Sequence, residues 1–192
     1  MQISVINWKG GVGKSTVALS MYEALDSKNL DVSIVEHDLQ RMIGRAADLG
    51  ARHQPVKWSA AKSNYIIHDL PPYNTDSLLS VLQISNVIVV PLKVSDNDKL
   101  CTVDLINYLI DKGLSEKAII LFNEVRKPHT LIYKSVKKSL VDNFSDIKIA
   151  QTELSDLRGS GGFKTILRTP LKGKALDQIN EFLREIDILT NN

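Results

Sequence analysis

The chain is poor in several things, and each shortage excludes something. It has one cysteine in 192 residues. Cys101 on its own rules out an intramolecular disulfide and any cysteine-built zinc or iron–sulfur site within one chain. It reads as a small apolar side chain on a helix. No apolar stretch approaches the roughly 20 residues that a bilayer-spanning helix needs. The opening run Met1-Gln2-Ile3-Ser4-Val5-Ile6 has no basic leader, so it does not read as a signal peptide, and a cytoplasmic location is expected. Internal repeats, low-complexity tracts and linkers are missing as well. Charge of one sign is also scarce: 24 Lys+Arg stand against 22 Asp+Glu, a net +2. Taken whole, that balance argues against a nucleic-acid partner. What is left is 43% hydrophobic and long enough to bury a core without staples. It fits one domain spanning 1–192.

Short β-branched runs alternate with longer amphipathic stretches. Strands are expected at Ile3–Asn7, Val32–Glu36, Tyr65–Asp69, Val87–Pro91, Ala118–Phe122 and Ile147–Ala150. Most are continuously apolar, the mark of strands buried on both faces of a parallel sheet. Helices are expected at Ser15–Ser27, Leu39–Leu49, Thr75–Gln83, Asn97–Asp111, Thr130–Val141 and Lys174–Leu189. Such alternation predicts an α/β fold: a doubly wound, mostly parallel sheet flanked by helices. Gly50–Asn64 is the least regular stretch and reads as a loop.

The strongest local signal is Lys9-Gly10-Gly11-Val12-Gly13-Lys14-Ser15-Thr16, set between the first strand and the first helix. That is the context of a phosphate-binding P-loop. Glycines let the backbone curl with its N–H groups turned inward, and the helix aims its positive end at the same phosphates. Lys14 is placed to reach the β- and γ-phosphates of a nucleotide, and the Ser15 hydroxyl to coordinate Mg²⁺. The common pattern would put glycine at position 8, where this chain has Trp8, followed by a second lysine, Lys9.

That second lysine resembles the signature of the deviant Walker A ATPases, the class of the ParA and MinD proteins. The resemblance implies a P-loop NTPase fold with ATP and Mg²⁺ as ligands. It also implies a dimer that sandwiches two nucleotides, each Lys9 crossing to its partner's phosphates. Val35-Glu36-His37-Asp38-Leu39-Gln40 resembles the family's D-x-D-P-Q segment, with Glu36 for the first Asp and Leu39 for the Pro. By that likeness Asp38 positions the attacking water near Mg²⁺. It could equally cap a following helix, and the two roles are compatible. Tyr65-Ile66-Ile67-His68-Asp69-Leu70-Pro71-Pro72 resembles the family's Walker B strand, which makes Asp69 a holder of the Mg²⁺ shell. Phe122-Asn123-Glu124 is similar to the strand end whose Asn contacts adenine, with Glu124 where Arg is frequent. His37 and His68 read as packing or surface histidines rather than metal ligands.

Split by segment, the charge is uneven. Residues 1–120 are net −1, 121–175 net +6 and 176–192 net −3. In the helix from Thr130, Ile132, Val136 and Leu140 form the expected buried stripe, leaving Lys134, Lys137 and Lys138 exposed. Lys164, Arg168 and Lys172 follow. In ParA-like proteins this part of the chain supplies a DNA-binding surface, which implies non-specific, salt-sensitive DNA binding. The resemblance further implies partition of DNA with a small centromere-binding, ParB-like partner, and nucleoid association in the ATP state. With the P-loop starting at residue 9, no DNA-reading helix-turn-helix domain is expected before it. A MinD-like membrane ATPase is the alternative. It needs a basic amphipathic C-terminal helix, whereas here the polar face of Ile179–Leu189 is acidic, so no membrane partner is expected. A ParA-like ATPase that positions a protein cargo also stays open.

Overall fold

A computed structural model describes residues 1–38, 41–48, 57–58, 63–73, 76–94, 96–126, 130–157, 161–163, 166 and 168–190. Six strands form one parallel sheet: β1 (Gln2–Val5), β2 (Val32–Glu36), β3 (Tyr65–Asp69), β4 (Val87–Leu92), β5 (Ala118–Phe122) and β6 (Lys148–Ile149), in the order β2-β3-β1-β4-β5-β6. The helices are α1 (Lys14–Asp26), α2 (Met42–Asp48), α3 (Asp76–Ile84), α4 (Asp96–Asp111), α5 (Leu131–Asn143) and α6 (Gly173–Thr190).

Alternation along each strand sorts the core into two layers. Ile3, Val5, Val87, Val89, Ile119 and Leu121 meet α1 and α6 on one face. Ile88, Val90, Leu92, Ala118, Ile120 and Phe122 meet α3, α4 and α5 on the other. Strands apolar on both faces are thus explained by helices on both faces. Helix α1 packs against the sheet and against α6, which is why Val17, Leu19, Met21, Tyr22 and Leu25 are all buried around its circumference. Helix α6 is one-sided: Ala175, Ile179, Phe182, Leu183 and Ile186 are buried in the core at helical spacing. Each large member of such a stripe contributes on the order of 1.5–3 kcal/mol by leaving water.

Beyond their sheet partners, the outer strands have backbone groups engaged at single points. Ile34 N donates to the Lys57 carbonyl at 3.0 Å, and Ile34 pairs with Trp58. Beyond β6, Gln151 N and Thr152 N donate to the Glu185 carboxylate of α6 at 2.7 and 3.2 Å.

Several sequence expectations shift: the sixth strand shortens to Lys148–Ile149, and the second helix is Met42–Asp48. The first strand stops at Val5, because Ile6 and Asn7 turn into the loop while remaining buried. In α5 the buried residues are Tyr133, Val136 and Leu140, and Ile132 is 57% exposed. The i, i+3, i+7 set with Tyr133 outcompetes Ile132 because the ring packs on Phe122 at 5.1 Å.

Candidate active site

Strand β1 lies between β3 and β4. The chain leaves β1 toward one side of the sheet and β4 toward the other, so a crevice opens at their carboxyl ends. The P-loop fills it. Asn7 fixes the loop's entry: its Nδ2 donates to the Pro91 carbonyl and to Thr102 Oγ1, both at 2.9 Å, and its Oδ1 accepts from Lys9 N at 2.9 Å. Gly11 and Gly13 take φ of +79° and +93°, a region that side chains disfavour. Space adds a second constraint at Gly13, where a Cβ would lie 2.3 Å from Asn123 Nδ2. Gly13 then caps α1, and Val17 N donates to its carbonyl at 2.9 Å.

Asn123 is buried beneath the loop, its Nδ2 donating to the Val12 carbonyl at 2.8 Å. One of its two amide hydrogens therefore braces the P-loop, a role the sequence did not suggest. Lys14 is 7% exposed, and its Nζ donates to the Lys9 carbonyl at 3.3 Å. Burial lowers its pKa, and the charges of Asp69 and Asp38 oppose that shift. Lys9 itself is half-buried, at the lip of the loop.

Asp69 ends β3 with no exposed surface, and neither carboxylate oxygen has a well-formed hydrogen bond. Burial pushes its pKa up to about 7. The Ser15 hydroxyl and Lys14 pull it down, while Glu36 and Asp38 push it further up. A dry carboxylate that the Ser15 hydroxyl only weakly satisfies, near a second carboxylate, suits a hard cation that takes oxygen ligands. Ser15, Asp38 and Asp69 thus fit Mg²⁺. Among the described residues no group of three or more His, Cys, Asp or Glu forms a protein-only metal site, so a metal here would share its shell with water and ligand phosphates.

Asp38 follows β2 and reaches the same cleft. Its carbonyl accepts from Arg41 N at 3.0 Å. Glu36 also holds the first turn of α2, its two oxygens accepting from Ile43 N at 2.8 Å and Gly44 N at 3.0 Å. The extra methylene of Glu over Asp gives it this reach. Leu39 and Gln40 lie outside the described residues. His37 Nε2 and His68 Nδ1 are 3.0 Å apart, and His68 Nε2 lies 3.0 Å from Gln2 Oε1. Burial lowers both pKa values, that of His68 to about 4 with help from His37. They pack on each other as a pair.

The cleft holds about 380 Å³ and is lined by Gly10, Gly11, Gly13, Lys14, Ser15, Thr16, Asp38, Met42, Pro72, Lys93 and Glu124. Lys93 and Glu124 were not singled out as cleft residues from the sequence. A lysine one step past the end of a strand that flanks β1 was the available signal. A second hollow, about 490 Å³, begins one residue further along at Val125, with Glu153, Ser155 and Gln178 in its walls.

The basic residues are unequally placed. Lys134, Arg168 and Lys172 are exposed, and Lys138 is exposed but paired with Asp142 at 2.6 Å. Lys137 does not stand free as expected. It is half-buried, 3.6 Å from Glu153, bonded to the Tyr133 hydroxyl and seated over the rings of Phe122 and Tyr133. Lys164 lies outside the described residues.

The nucleotide-binding domain model of the CobQ, CobB, MinD and ParA proteins matches residues 3–162. The chain belongs to this family. No curated protein matches it in sequence. Solved structures match its fold along nearly the whole length. A candidate plasmid partition protein of Borrelia burgdorferi bound to AMPPNP is 16% identical with a TM-score of 0.71, covering 97% of each chain. The septum site-determining protein MinD of Pyrococcus horikoshii, with Mg-ADP, is 14% identical with a TM-score of 0.67, covering 98% of this chain and 96% of the other. An ATP-bound McdA variant of Cyanothece is 14% identical with a TM-score of 0.65, covering 99% and 96%. Matches this distant carry the fold. The family model itself describes a nucleotide-binding domain.

Proposed function

We propose that this chain is a Mg²⁺-dependent ATPase of the ParA kind that partitions DNA, closing as a nucleotide-sandwich dimer on non-specific DNA. The observation that carries the reading is the company kept by Asp69. A stripped, buried carboxylate faces Lys14 and the Ser15 hydroxyl at the mouth of a glycine loop that begins with a second lysine.

The chain's residues divide the work. Loop amides from Gly10 to Thr16 and the start of α1 hold the phosphates. Lys14, already dehydrated, gives a strong point charge to the β- and γ-oxygens. Ser15, Asp38 and Asp69 hold the magnesium shell, and magnesium when bound draws charge off the phosphates. Asp38 orients the attacking water. Lys9, at the lip, reaches the phosphates of the partner subunit, which makes a full set of charges conditional on dimer closure. Asn123 holds the loop, and by the family resemblance it is also assigned to the adenine. Arg168, Lys172 and Lys134 form the phosphate-backbone contact, joined across the dimer. A small centromere-binding protein accelerates hydrolysis. The protein works in the cytoplasm, on the nucleoid while ATP is bound.

DNA binding with ATP, ADP and no nucleotide at several salt concentrations tests this. ATP-dependent, salt-sensitive, sequence-indifferent binding that Lys14→Ala removes supports it; DNA binding indifferent to nucleotide defeats it. Vesicle binding in its place would favour a MinD-like membrane role. Against that second reading stands α6, whose apolar stripe is already spent on the core. Among the described residues no helix is long and apolar enough to cross a membrane.

A further inference from the structure

The cleft contains an ion pair that the reading above leaves without a task. Lys93 Nζ and a Glu124 carboxylate oxygen are 2.8 Å apart, and the side chains are 28% and 19% exposed. Both line the same cleft as Gly10, Gly13 and Lys14. The backbone under the pair is pinned. Asn123 N donates to the carbonyl of Leu92, the residue before Lys93, at 2.8 Å, and Val125 N donates to the Leu154 carbonyl at 2.9 Å. Between these two anchors Glu124 is forced to a φ of +55°, a left-handed conformation that a side-chain-bearing residue adopts at a cost. Strain of this sort persists where the surroundings over-determine it, and it gathers at working sites. Here it holds a carboxylate against Lys93 at the wall of the phosphate cleft.

A glutamate beside a polyphosphate is unfavourable by itself. A lysine there is favourable, and paired they cancel to first order. We propose that Lys93 is a further phosphate-binding cation of the cleft and that Glu124 sets its strength, so the pair tunes how tightly the site holds a nucleoside polyphosphate. The inference rests on the nucleotide reading and deepens it. It assigns a cis cation just past the end of β4, distinct from Lys14 within the loop and from Lys9, which serves the partner. Glu124 keeps Lys93 from over-tightening a site that must also let its product go.

The test is equilibrium binding of a fluorescent ATP analogue with Mg²⁺ to the full chain, as wild type, Lys93→Gln, Glu124→Gln and the double variant. Glu124→Gln keeps the side chain's length and removes its charge. A charge-assisted contact at a partly exposed wall is worth about tenfold in affinity. Lys93→Gln, which leaves Glu124 bare beside the phosphates, is expected to weaken binding by about that factor. Glu124→Gln is expected to tighten it severalfold, and the double variant to return near wild type. The two opposite shifts shrink as salt is raised. Glu124→Gln weakening binding as Lys93→Gln does would make the pair a structural clamp and overturn the proposal. Lys93→Gln matching wild type at low salt would overturn it too, with the nucleotide reading left standing. A wild type that binds no ATP would bring down both.

Discussion

Asp69 offers a measurement that separates a metal-holding carboxylate from an ordinary strand-end acid. Its pKa is raised from the usual 3.8 to about 7, first of all by burial. Between those values the folded chain keeps a proton that the unfolded chain has released. Stability therefore falls as pH rises from about 4 to about 7 and is level above that. A rise of about three units corresponds to about 4 kcal/mol at most, using 1.36 kcal/mol per unit. About 2–3 kcal/mol of it falls between pH 5 and pH 8. Asp69→Asn keeps the shape and removes the titration. The amide's own cost of lying unpartnered is the same at every pH, so it drops out of the comparison. Urea unfolding of both chains at pH 5, 6, 7 and 8, with EDTA and no nucleotide, reads the difference. D69N should gain on wild type by about 2–3 kcal/mol across that range. Mg²⁺ with nucleotide should reverse the gain by stabilising wild type alone. Parallel pH profiles, or a wild type that gains as pH rises, would refute the argument that this carboxylate is held dry for a cation.

Three further predictions concern the same machinery. Gly13→Ala combines a φ of +93° with a Cβ 2.3 Å from Asn123 Nδ2. A melting scan should show a fall of about 4–10 °C and an ATP titration a loss of affinity; adding Asn123→Ala should recover only the steric part. Asp38→Ala should bind ATP and dimerise in sedimentation while turnover drops about 100-fold or more; normal phosphate release would remove Asp38 from the chemistry. Arg168→Glu with Lys172→Glu should weaken DNA binding and lower its salt slope by about 1–2, with ATP affinity unchanged; unaltered DNA retention would move the contact elsewhere.

Much of the fold is legible in the sequence, because buried parallel strands are written as unbroken apolar runs such as Val87–Leu92 and Ala118–Phe122. The phosphate loop is legible for the opposite reason: glycine at positive φ is a demand of local geometry, so the residue type is the signal. Contacts made across the fold are not legible. Asn123 and Val12 are far apart in the chain, and nothing near either says that one will brace the other. The half-burial of Lys137 follows from Phe122 and Glu153 arriving beneath it from other elements. Glu36 could be read only as a departure from the family's Asp, since its capping role exists once α2 folds back over β2. The exposed Ile132 is an error of phase: a four-residue spacing defines a helical stripe, but the ring of Tyr133 rotates that stripe by one position.

The covered margins of the sheet have a bearing on how copies of this protein can assemble. Six strands this apolar would serve as a seed for cross-strand growth if either margin were bare. Instead the Lys57–Trp58 segment occupies Ile34 on one side. On the other, a two-residue strand gives way to amides held by Glu185. Among the described residues, backbone groups at each margin are thus already engaged, which works against strand-to-strand growth at those points. Side chains on the helical faces and the loop rim are the favoured surface for assembly, where ligand occupancy and ionic strength can take it apart again.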